Sequence, residues 1–189
     1  MINMNVRGKM ILTGRLILRK WTEEDAQHLF EAAQNPSIGK AAGWLQHTSV
    51  NYSRHIIKDY WNGAEDYAIV LKFTNQVVGG IFLKRKSESL LASSDDEAEI
   101  EFWLAEPYWE QGIMYETLSA FLKHCFADLK LMKVWGRYFD DNMRAWNLLK
   151  KCGFQYKFTR KNVQTPTEGI RRTEHIFCLT CVQWCHCRI

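Results

Sequence analysis

Proline and glycine are scarce, at three and eleven residues in 189. That excludes collagen-like, low-complexity and disordered chains, which are rich in one or both. No apolar run approaches the ~18 residues a membrane span needs. The first ten residues, MINMNVRGKM, lack an apolar stretch, so no secretory signal is expected. Charge of one sign is not in large excess: 25 Lys and Arg against 21 Asp and Glu give a net +4. This falls short of the basic stripe of a nucleic-acid binder, so neither a nucleic acid nor a membrane is expected as partner. No internal repeat or Pro- or Ser-rich linker divides the chain. What is present is 47% hydrophobic residues, in a chain long enough to bury roughly 70% of its unfolded surface without staples. One compact cytoplasmic domain is expected over residues 10–189, preceded by a flexible arm at 1–9.

The charges are unevenly placed. Glu88 to Glu101 holds six acids and no base, and Lys157 to Arg172 holds five bases and one acid. Such runs are ordinarily solvated faces. Flanking a cleft, the first would attract a cationic substrate and the second an anionic group. Six cysteines are present, and Cys178, Cys181, Cys185 and Cys187 fall in the last twelve residues. Cys178 and Cys181 have the spacing of a metal knuckle. The segment 174–182 reads as a strand, however, where positions i and i+3 face opposite sides. With no second knuckle in the chain, no metal is expected and the cysteines read as thiols in a reducing compartment.

Hydrophobic periodicity lays out the elements. Leu16 and Leu18 alternate with Arg15, Ile17 and Arg19 in a first strand. Thr22 caps a helix through Asp25, with Ala26, Leu29, Phe30 and Ala33 on one face, ending before Asn35-Pro36. A second helix is expected over 49–61. Strands over 67–73 and 77–83 form a hairpin, and Gly79-Gly80 marks a bulge or a close backbone contact. A polar loop at 84–96 leads to a strand over 98–104. A helix over 112–129, a strand over 132–139 and a helix over 142–152 follow, with strands at 154–160 and 173–182 last. The order is one α/β domain around a central sheet.

Two segments carry chemistry. In Glu99 to Glu116, EIEFWLAEPYWEQGIMYE, a strand passes through a turn into a helix opening at Gly112. Unpaired N–H groups at such a helix start cradle phosphate, although any α/β protein contains several strand–turn–helix units. In Asn142 to Phe154, NMRAWNLLKKCGF, Asn142 opens a helix; an asparagine there is ordinarily an N-cap.

Together, in this order and about 30 residues apart, these segments resemble the GNAT superfamily of acyl-CoA-dependent N-acyltransferases. The nearest likeness is the RimJ/RimL-type branch, which acetylates ribosomal-protein N-termini. That branch has a strand like Thr13 to Arg19, a Glu-Asp-Ala helix as at Glu24, Asp25 and Ala26, and a strand like Ala98 to Leu104. It also has an Asn-led helix, here with Ala145, Lys151, Gly153 and Phe154. The likeness spans roughly residues 11 to 182 and implies a mixed, mostly antiparallel central sheet flanked by helices. It implies acetyl-CoA as cosubstrate and no metal. The pyrophosphate loop maps onto Trp109, Glu110, Gln111, Gly112, Ile113 and Met114, where Trp109 stands for the family's Gln or Arg and Met114 for a small residue. The pantetheine arm would pair with the strand at Phe102, Trp103 and Leu104 and with Asn142.

In such enzymes an amine attacks the thioester directly. Alternation places Glu99, Glu101 and Trp103 on one strand face, making Glu99 or Glu101 the candidate base, directly or through water. The Tyr that many family members use as general acid is Leu149 here. At pH 7, deprotonating an α-amine of pKa ~8 costs about 1.4 kcal/mol, against about 4.6 for a lysine-like amine of pKa ~10.4. The acceptor is expected to be a primary amine, on a protein N-terminus or a small molecule, and the protein a monomer or homodimer. The alternative is a non-catalytic acetyl-CoA-binding sensor or interaction module, suggested by Met114 and Leu149.

Overall fold

The computed structural model describes residues 10–165 and 171–186; the expected arm at 1–9 lies outside them. Eight strands form one sheet in the order β1-β2-β3-β4-β5-β6-β8-β7. They are β1 (Ile11–Leu12), β2 (Leu16–Lys20), β3 (Asp66–Leu71), β4 (Val77–Lys84), β5 (Glu97–Leu104), β6 (Lys133–Phe139), β7 (Gln155–Gln164) and β8 (Arg171–Thr180). Every neighbouring pair is antiparallel except β5 and β6, which are parallel. The helices are α1 (Ala26–Ala33), α2 (Pro36–Ala42), α3 (Val50–Asp59), α4 (Ile113–Lys123), α5 (Met143–Lys151) and α6 (Cys181–His186). Among the described residues no helix is long and apolar enough to cross a membrane.

The sheet buries both faces, so its central strands are apolar on both sides. On one face Leu118, Phe121 and Leu122 of α4 and Leu149 of α5 pack with Leu16, Ile69, Ile100 and Val134. On the other, Leu29 of α1, Ile38 of α2 and Ile57 of α3 pack with Trp21, Val70, Phe82 and Trp103. The two glycines of β4 lie on opposite faces, Gly79 toward Leu104 and Ile69 of the first core and Gly80 toward Trp103 and Phe82 of the second. A Cβ on Gly79 would stand 2.5 Å from the Trp103 carbonyl oxygen, and one on Gly80 2.7 Å from Trp103 Nε1. The register against β3 also shifts between Ile69 and Val70, so the bulge and the close contact occur together.

Four parts of the chain depart from the sequence reading. Residues 36–42 form a helix, because Pro36 sits in its first turn and the Asn35 side chain accepts from Ser37 N at 2.9 Å. Asn35-Pro36 thus ends one helix and starts another. The last strand stops at Thr180, and Cys181 opens α6 instead of continuing the strand. Thr180 Oγ1 accepts from Gln183 N at 3.3 Å while Thr180 N donates to Gln183 Oε1 at 2.9 Å, a reciprocal cap. The strand β1 is a short addition before Leu16. The helix expected to reach 129 keeps α-geometry to Lys123 and widens into a π-turn over His124–Asp128.

Candidate active site

The parallel strands β5 and β6 pair only at Glu97↔Lys133, Ala98↔Val134 and Glu99↔Trp135. Past that seam they diverge. Residues Ile100 to Leu104 stay laddered to β4 on one edge and have no β6 partner on the other. An open strand edge in the middle of a sheet is a binding surface for extended groups with amides.

A cavity of about 410 Å³ lies along that edge, over the start of α4. It brings together Phe102, Trp103, Leu104, Trp109, Glu110, Gly112, Ile113, Met114 and Asn142, nine of the residues expected to hold the donor. Gln111 is outside this lining: its Nε2 donates to the Pro107 carbonyl at 2.7 Å and its own carbonyl accepts from Arg15 Nη1 at 3.1 Å. Trp109 is tied to the strand end, its indole donating to the Leu104 carbonyl at 2.7 Å. The Arg144 guanidinium lies 4.2 Å from the centre of its ring. The Met114 side chain packs against the core, so its bulk does not decide what the backbone of the turn can do. Asn142 caps α5: its Oδ1 accepts from Ala145 N at 3.1 Å, and its Nδ2 donates to the Ala41 carbonyl at 3.3 Å.

The turn before α4 is held from behind. Gly112 has φ +74°, a conformation that glycine adopts without cost. Arg15 N and Thr13 Oγ1 donate to Glu116 Oε1 at 2.8 and 2.6 Å, and Arg15 Nε donates to Glu116 Oε2 at 2.7 Å. Arg15 reaches the Gln111 carbonyl but does not line the cavity, whereas Gly112 does. In a trans peptide the C=O and the following N–H point opposite ways. Drawing the Gln111 carbonyl toward Arg15 therefore turns the Gly112 N–H away from it. This clamp was not legible as such, since Arg15 reads simply as a polar position of the first strand.

A second cavity of about 420 Å³ continues from the first and shares Ala41, Ala42, Phe102, Trp103, Asn142 and Ala145 with it. Glu101 lines it; Glu99 does not. Arg137, which the sequence did not single out, sits among three carboxylates. Its Nε is 2.7 Å from Glu99 Oε1, its Nη2 2.6 Å from Glu101 Oε1 and its Nη1 2.9 Å from Glu174 Oε1. Glu174 also pairs with Arg160 at 2.5 Å. Burial pushes the Glu99 carboxyl above the usual range, against the pull of Arg137 and of the Ser89 hydroxyl, which donates at 2.7 Å. Glu99 and Glu174 are sealed, with side chains 2% and 1% exposed, whereas Glu101 is 40% exposed. Of the acids from 88 to 101, Glu97 is also spoken for, by Lys133 and Trp135. Leu149 is fully buried in the core and offers no proton to either cavity. Among the described residues, no group of three His, Cys, Asp or Glu is arranged to hold a metal ion.

Residues 15–155 match the acetyltransferase (GNAT) domain. The chain belongs to the GNAT acetyltransferase family. It is similar to the uncharacterized N-acetyltransferase YoaA of Bacillus subtilis (strain 168), at 26% identity over 148 residues, 76% of this chain and 81% of that protein. Its fold resembles the GNAT-family acetyltransferase of Bacillus anthracis, with a TM-score of 0.80 at 19% identity over 92% of this chain and 99% of the other. It likewise resembles Mycobacterium smegmatis RimJ in complex with CoA-disulfide, with a TM-score of 0.73 at 17% identity over 87% and 81% of the two chains. This GNAT protein is an acetyl-CoA-dependent acetyltransferase.

Proposed function

We propose that the enzyme moves an acetyl group from acetyl-CoA to a primary amine, on a protein N-terminus or a small molecule, by direct attack of the amine on the thioester. The observation that carries this reading is the opening of the β5–β6 seam between two cavities that share six residues. The first cavity suits the donor. The N–H groups of the Gly112 turn and the first turn of α4 meet the pyrophosphate, and the open edge at Phe102, Trp103 and Leu104 meets the amides of the pantetheine arm. Asn142 supports that arm from its capping position. The acceptor enters from the second cavity, where Glu101 is the base: it takes the ammonium proton directly or through water before or as nitrogen attacks carbon. The C–S bond then breaks and the departing thiolate takes its proton from solvent, with Leu149 giving none. Glu99 acts on Arg137 rather than on the amine.

Calorimetric titration with acetyl-CoA tests the donor half. Binding should be micromolar, and Arg144→Glu, at an exposed cavity-edge position, should weaken it about tenfold, or about 1.4 kcal/mol. Absence of binding to the wild-type protein would overturn the assignment of this cavity. The clamp makes a separate prediction. Arg15→Ala should raise the KM for acetyl-CoA about tenfold with kcat held within about twofold, because the N–H groups of the turn lose their fixed direction rather than a contact to the reacting atoms. Steady-state kinetics at fixed amine measure the split; a fall in kcat at unchanged KM would count against the clamp.

A further inference from the structure

Four of the aromatic rings that line the second cavity are Trp44, Trp61, Phe82 and Trp103. They form one packed group, with ring centres 4.8 Å apart for Trp61 and Phe82, 5.5 Å for Trp44 and Trp61 and 5.4 Å for Trp44 and Trp103. Phe82 and Trp103 are sealed against the sheet, while Trp44 and Trp61 keep part of their surface exposed. A wall of indoles recognises either a cation, through ring faces, or a flat apolar group, through burial.

The charges at the same cavity decide between them. Lys84 is matched by Asp66 at 3.8 Å, and its ammonium already stands 5.7 Å from the centre of the Phe82 ring. The Arg137 group holds three carboxylates against two guanidinium groups, those of Arg137 and Arg160. One negative charge is in surplus, and Glu101 is its only well-exposed member. Among the described residues, one ammonium is therefore balanced, and a second would face Lys84 and Arg137 without a counter-charge.

We propose that the acceptor is an arylalkylamine, a single primary ammonium on a short carbon linker to a flat aromatic group. The ammonium sits at Glu101 and the aromatic group lies against Trp44 and Trp61. This assignment rests on the transferase reading above and narrows its acceptor.

The test follows CoA thiol release by the full-length enzyme with acetyl-CoA and four acceptors: phenethylamine, tryptamine, spermidine and a tripeptide with a free N-terminus. The expected result is a kcat/KM for phenethylamine or tryptamine at least tenfold above those for spermidine and the tripeptide. Trp61→Ala should raise the KM for the arylalkylamine about tenfold while the KM for acetyl-CoA stays constant, and Trp61→Phe should restore most of the loss. Glu101→Gln should lower kcat/KM for the arylalkylamine. Preference for spermidine or the peptide would overturn the proposal and leave the transferase reading standing. So would an unchanged arylalkylamine KM in Trp61→Ala. Release of no thiol with any amine, from protein that still binds acetyl-CoA, would overturn both.

Discussion

Replacing Arg137 with leucine should lower the unfolding free energy at pH 7 by about 4 kcal/mol, the usual consequence of leaving buried carboxylates without their cation. Three carboxylates lean on this one guanidinium, and two of them are almost wholly sealed from water. Arg160 still serves Glu174 after the substitution, but Glu99 keeps only the Ser89 hydroxyl. The sign with pH follows. In the variant the folded Glu99 carboxyl rises further above its unfolded value, so folding takes up a proton there and acid favours the folded state. The deficit should be largest near neutrality and shrink as pH falls toward 5. Urea unfolding at pH 7 and pH 5 checks both statements; equal midpoints for wild type and variant at pH 7 would show that the cluster carries no net stabilisation.

Acid should unfold the protein partly through His47. This imidazole is 4% exposed, its Nδ1 lies 2.8 Å from Ser53 Oγ, and burial lowers its pKa to about 4. The unfolded chain binds the proton near pH 6.5 and the folded one only near 4, so stability is intact above 6.5 and falls between 6.5 and 4. A gap of this size corresponds to about 3 kcal/mol. Glu97 acts in a lower window. Burial pushes it up, but Lys133, Trp135 and the Ser93 N–H outweigh that and hold it near 2, so its contribution is lost only below about 4.5. His47→Asn keeps an amide able to meet the Ser53 hydroxyl and removes the titration. Its stability should be flat between pH 6.5 and 5, where the wild type already slopes; parallel slopes in that window would rule out His47 as the titrating group.

Where periodicity was long and unbroken, the sequence could be read directly. α4 and α5 each present one apolar stripe, and the strands of the β3–β4 hairpin are apolar on both sides, as a covered central sheet demands. The pieces that escaped were short and marked only by caps. Pro36 reads as a stop for α1 and is equally a start for α2 once Asn35 is seen as its cap. Thr180 and Gln183 have capping-box spacing, but the apolar run before them suggested a longer strand. The lining of the first cavity, proposed for the donor, could largely be read from the sequence because its residues lie mostly in two local segments. Arg137, Glu174 and the ring wall were not, because β6, β8, α2 and the segments around α3 bring them together across more than 100 positions of chain. Alternation placed Glu99 and Glu101 on one face correctly, yet could not tell that divergence past Glu99 opens only the later of the two to a cavity.

That divergence has a thermodynamic corollary. The plates β1–β5 and β6–β8 are stitched by three residue pairs, and whatever lies along Ile100 to Leu104 supplies the missing stitches. A donor seated there acts as a provisional strand, so part of its binding heat is the heat of finishing a sheet. Each turnover would then sew and unpick the same seam, and the amide protons of that edge should exchange slowly with donor bound and quickly once the product has left.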